Sequence, residues 1–85
     1  METIENLRKQ IDTIDDQILE LIKKRMKMAQ HIGQVKQMQR VPILQENREA
    51  EILGRLTQKR QELPHNLVTE LWGVLFKHAK SLQFK

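Results

Sequence analysis

The sequence predicts an all-α fold of three helices per chain, the first very long, assembled as an intertwined homodimer. Three observations lead there. Apolar residues in the first half recur at Ile4, Leu7, Ile11, Ile14, Ile18 and Leu21, in steps of three and four. Only 3 Gly and 2 Pro occur in 85 residues otherwise rich in Leu, Ile, Gln, Lys, Glu and Arg, which favours helices. The breaks fall at Pro42 and around Pro64, cutting the chain into roughly 1–40, 45–61 and 65–84.

The first segment is a heptad seam. The same steps continue through Arg25, Met28, Ile32 and Val35, so the seam runs about five heptads with one charged interruption, Arg25. Thr3 is placed to cap the start, with Glu2 and Glu5 complementing the helix dipole. Gly33 weakens the pattern by about 1 kcal/mol relative to Ala. A helix over 4–39 is about 54 Å long, whereas a compact chain of this length has a radius of gyration near 12 Å, roughly. The remaining residues are too few to cover such a rod, so the seam is expected to meet a second copy.

The second segment reads as a helix from about Gln45 to Arg60, with Ile52, Leu53 and Leu56 on one face and Glu49 sharing it. The third begins near Pro64, a favourable first-turn residue. Its expected stripe is Leu67, Leu71, Leu75, His78 and Leu82, widened by Val68, Trp72, Val74 and Ala79, with Gln83 at the edge.

Composition removes several function classes. Residues 1–85 suffice for one small helical domain and not for a dinucleotide-binding sheet. No apolar run approaches the roughly 20 residues of a membrane helix, and the charged start METIENLRKQ is unlike a secretory signal, so a cytoplasmic location is expected. Without cysteine there is no disulfide, thiolate metal site or cysteine nucleophile. The net charge of +4 is spread along the chain and aromatics are 4%, which weighs against nucleic-acid binding but suits a small anionic ligand.

Several charged residues lie where a core should be. Arg25 occupies the seam, Lys36 follows it by three turns on the same side, Glu49 sits on an apolar face, and Arg48 adjoins it. Burying any of them unpaired would cost several kcal/mol. Two solutions are open at this point: an ion-pair network of Arg25 or Lys36 with Glu49 that fixes register, or a pocket whose missing partner is an anion. Three cations against one carboxylate leave room for a dianion. Arg8 is 17 residues before Arg25, about 25 Å along one helix, so only an antiparallel partner chain could bring it to the same place.

Other residues carry less. The three His residues, His31, His65 and His78, are scattered and no metal site is expected; His78 is read as part of the third stripe. Met26, Met28 and Met38 are read as core filler, and Trp72 as core or dimer packing. Ser81 has no His and Asp arrangement to activate it.

Taken in order, Arg8, Arg25, Lys36, Arg48, Glu49 and Gln83 give a chain that resembles the all-helical chorismate mutase family. The resemblance spans essentially the whole chain: LRKQIDTIDDQILELIKKR at 7–25, then Gly33 to Lys36, then Pro42 to Glu49, then His78 to Gln83. It implies an intertwined dimer of three-helix chains and the rearrangement of chorismate to prephenate, on the way to phenylalanine and tyrosine, without cofactor, metal or covalent intermediate. It further implies that Arg25 and Arg8 of the opposite chain clamp carboxylates, Arg48 holds the ring-side group, Lys36 and Gln83 donate to the ether oxygen, and Glu49 receives the ring hydroxyl. A neutral Gln83 implies activity over a broad pH range near neutrality.

Two positions depart from the family pattern. Gln45 stands where many members have Asp near the hydroxyl. Ala79 stands where Ser or Asn commonly touches a carboxylate, which removes a hydrogen bond worth about 0.5–1.5 kcal/mol and implies weaker substrate binding or a water in that place, not loss of function. Within the same fold the alternatives are isochorismate-pyruvate lyase and 4-amino-4-deoxychorismate mutase, since Glu49 suits an ammonium as well as a hydroxyl. A helical interaction module that has the fold without the chemistry is the alternative of a different class.

Overall fold

The computed structural model describes residues 2–40, 46–59 and 62–83. They form three helices, α1 (Ile4–Gln39), α2 (Glu46–Lys59) and α3 (His65–Gln83), with no strand among the described residues. α1 has the expected bounds and its ends show why. Thr3 is extended at φ −107° and ψ 160°, and its Oγ1 accepts from the Asn6 amide at 3.1 Å. Such a cap contributes about 1 kcal/mol. At the other end Arg40 turns left-handed, φ 55° and ψ 39°, and its amide donates to the Gln37 carbonyl at 3.3 Å. At the start of α3 the Pro64 carbonyl accepts the Leu67 amide at 3.1 Å, so Pro64 stands just before the first turn.

α3 is the common neighbour: it packs against both α1 and α2, and among the described residues α1 and α2 do not pack on each other directly. The core is small. Ala29 and Gly33 are buried on α1, Ile52 on α2, and Val68, Phe76 and Ala79 on α3. The rest of the seam is uncovered: Ile4, Leu7, Ile11, Ile14, Ile18, Leu21, Met28, Ile32 and Val35 are all exposed, Ile14 by 51%. The chain measures 58 × 24 × 15 Å with a radius of gyration of 16.4 Å, well beyond the compact value of about 12 Å.

Three expectations about packing need correction. Of the expected α3 stripe, Val68 and Ala79 are buried and Trp72, Leu75 and Leu82 half-buried, while Leu67, Leu71, Val74 and His78 are exposed, and Phe76, outside that stripe, is buried. The covered face is turned by about a quarter turn from the expected one, because α3 must meet α1 and α2 together. Met28 and Met38 are exposed rather than core filler, Met38 by 83%. Glu49, expected beside Arg25 or Lys36, pairs with Lys80, Nζ 2.8 Å from Oε2.

Candidate active site

The cavity lies where the three helices converge, about 350 Å³ in volume and open to solvent. α1 contributes Arg25 and Lys36 together with Met28, Ala29 and Ile32. Arg25 and Lys36 share a wall because eleven residues make three turns. α2 contributes Arg48, Glu49 and Ile52, and α3 contributes Phe76, Ala79 and Lys80. Four of these side chains are cationic and one is a carboxylate. Ala29 and Ala79 are buried, and as small side chains they leave the floor open.

The charged groups are held differently. Glu49 meets Lys80, with Nζ 2.8 Å from Oε2, across the α2–α3 junction. Arg25 is half-buried, and its Cζ lies 5.8 Å from the centre of the Phe76 ring. That ring is a buried platform that steadies the guanidinium through a cation–π contact while its donors stay available. Arg48 pairs loosely with Glu51 one turn on, at 3.6 Å, with both side chains exposed, so a ligand could replace that contact at little cost. Lys36 is half-buried in the last turn of α1.

Of the residues expected at the site, Arg25, Lys36, Arg48, Glu49 and Ala79 are brought together on this cavity. Arg8 is exposed on the N-terminal half of α1 and lines no part of it. Gln45 lies outside the described residues, as does the side chain of Gln83, whose backbone closes α3. Three lining residues are not singled out by the sequence, Phe76, Lys80 and Ala29. A signal for the first existed: Val68, Trp72, Phe76 and Ala79 step by four, four and three, as regular as the stripe that was preferred. Lys80 adjoins Ala79 and reads as a solvated lysine until α2 is in place. Among the described residues no three His, Asp or Glu side chains gather as metal ligands, and no helix is long and apolar enough to cross a membrane.

Three helices with four cations and one carboxylate around an open cavity define a small all-helical protein suited to an anionic small molecule. Its relatives narrow the class. A sequence model of chorismate mutase type II matches residues 7–84. The chain is 32% identical over 85 residues to the chorismate mutase of Methanocaldococcus jannaschii, spanning 98% of this chain and 86% of that one. It is also 32% identical over 90 aligned positions to the bifunctional chorismate mutase/prephenate dehydratase of Aquifex aeolicus, with all of this chain matched to 25% of the relative. The chain thus spans about a quarter of that bifunctional protein's length. A solved structure of a conserved hypothetical protein from Pyrococcus furiosus shares the fold with a TM-score of 0.78 and 36% identity, over 98% of this chain and 97% of that one. The chain belongs to the chorismate mutase type II family, a family of isomerases.

Proposed function

We propose that the chain converts chorismate to prephenate. The observation that carries this reading is the gathering of Arg25, Lys36, Arg48 and Glu49 on one cavity. The substrate is a dianion with an ether oxygen and a ring hydroxyl. Its rearrangement breaks the ether C–O bond as a C–C bond forms, with nothing added or lost. The protein's task is therefore to hold the folded, chair-like geometry and to meet the negative charge that grows on the ether oxygen.

In this reading Arg25, steadied on Phe76, and Arg48 receive carboxylates. Lys36 donates to the ether oxygen together with Gln83, and Glu49 accepts from the ring hydroxyl. Gln45 contributes beside that hydroxyl, and the methyl of Ala79 leaves room for water at one carboxylate. Two copies pair through the exposed seam of α1, antiparallel, and Arg8 of the opposite chain completes the clamp. The uncovered run from Ile4 to Leu21 and the 58 Å length support that pairing.

The test is the disappearance of chorismate with the product identified, beside the Lys36→Ala variant. Prephenate from the wild type and its loss in the variant are expected. Wild-type turnover retained by Lys36→Ala would remove Lys36 from the chemistry, and absence of prephenate from the wild type would overturn the proposal.

A further inference from the structure

We propose that Lys80 sets the polarity of the Glu49 end of the cavity, so that the site accepts a neutral ring hydroxyl there and rejects an ammonium. This assignment rests on the chorismate reading and deepens it. Glu49 considered by itself suits either group. In the structure it is already half of an ion pair, with Lys80 Nζ 2.8 Å from Oε2. The pair is neutral as a unit. Oε1 keeps lone pairs free to accept from a hydroxyl.

An ammonium placed within reach of Glu49 would stand a few ångströms from the Lys80 ammonium, in a cavity that Arg25 also lines. Like charges at such separations repel appreciably at a partly desolvated site. A hydroxyl meets no such opposition and gains an acceptor fixed in place. The ion pair is not explained by fold stability. Its side chains remain 41% and 31% exposed, and partly solvated pairs contribute little to folding. Both of its members line the cavity, whereas of the Arg48–Glu51 pair only Arg48 does. Lys80 is thus a specificity-determining residue that acts through Glu49.

The experiment uses two unreactive dicarboxylate mimics of the compact bicyclic geometry, one with a ring hydroxyl and one with a ring ammonium. Their Kd values are measured by calorimetry for the wild type, Lys80→Met and Lys80→Arg, alongside chorismate turnover and thermal melting. The wild type is expected to favour the hydroxyl mimic by about tenfold or more. Lys80→Met should narrow that ratio by about tenfold, chiefly by tighter binding of the ammonium mimic to an unneutralised Glu49, with the melting temperature nearly unchanged. Lys80→Arg should keep the wild-type ratio because it keeps the charge. A ratio that is the same in the wild type and Lys80→Met overturns the assignment of Lys80, whatever the turnover. A wild type that makes no prephenate overturns the chorismate reading instead, and one that also binds neither mimic overturns both.

Discussion

The two halves of α1 follow one apolar spacing and sit in different surroundings. From Ile4 to Leu21 every residue is exposed. Beyond Leu21, Ala29 and Gly33 are buried, and Ile22, Arg25, Met26 and Lys36 are half-buried. The reason is length. α3 has 19 residues, about 28 Å of helix, against about 54 Å for α1. One α3 can cover only half the rod. The comparison teaches that periodicity says which face of a helix needs cover and is silent on what supplies it.

The sharpest way to test the difference is to remove charge from the covered half. Arg25→Ala or Lys36→Ala should lower kcat/KM by roughly 10²–10³, about 3–4 kcal/mol of transition-state stabilisation, with helix content by circular dichroism unchanged. If turnover survived both, the covered half would be packing and nothing more. Charge removed from the uncovered half should matter only through the second copy. Arg8→Ala is expected to cost about a hundredfold, and mixing it with Lys36→Ala should restore about a quarter of wild-type turnover. Random pairing makes half the dimers mixed, and each mixed dimer has one intact site of two. Mixing that restores nothing would put Arg8 and Lys36 in the same chain's site or remove Arg8 from it.

A charge inserted into the uncovered seam separates the halves by assembly. Ile14→Glu should abolish the dimer in sedimentation, since burying an unpaired carboxylate costs several kcal/mol. In a chain that stays single the same change would be almost free, because Ile14 is already half exposed. Smaller effects lie at the edges of the covered half. Phe76→Leu should cost about 1 kcal/mol of stability and raise KM a few-fold by loosening Arg25, read from denaturant curves and steady-state kinetics. Arg40→Gly should raise stability by about 1 kcal/mol, because glycine holds φ 55° without the Cβ penalty; an unchanged denaturant midpoint would count against that.

Helix content, the bounds of α1 and the Thr3 cap were legible in the sequence because each is set by residues close along the chain. So was the common facing of Arg25 and Lys36, a matter of helical period. Which side of α3 is covered was not legible, since Leu67, Leu71 and Val74 are as apolar as Val68 and Phe76, and only the positions of α1 and α2 choose between them. The partner of Glu49 was hidden for the same reason. Lys80 is 31 residues away in sequence, and no local rule distinguishes it from Lys77 one turn earlier. Phe76 beneath Arg25 likewise joins two helices separated by the whole of α2.

The gap between α1 and α2 has one more consequence. Among the described residues the α1 and α2 walls of the cavity each pack on α3, and their backbones do not pack on one another. On the proposed reading, a molecule seated there would be a strut, held by Arg25 and Lys36 on one side and by Arg48 and Glu49 on the other. Occupancy then enters the folding equilibrium by mass action. At a hundred times its Kd a ligand adds about 2.7 kcal/mol to the native state, enough to move the melting temperature of a domain this small by about 15 degrees. A melting curve recorded with a panel of small dianions would therefore rank candidates by the heat they allow the protein to withstand, before any product is measured.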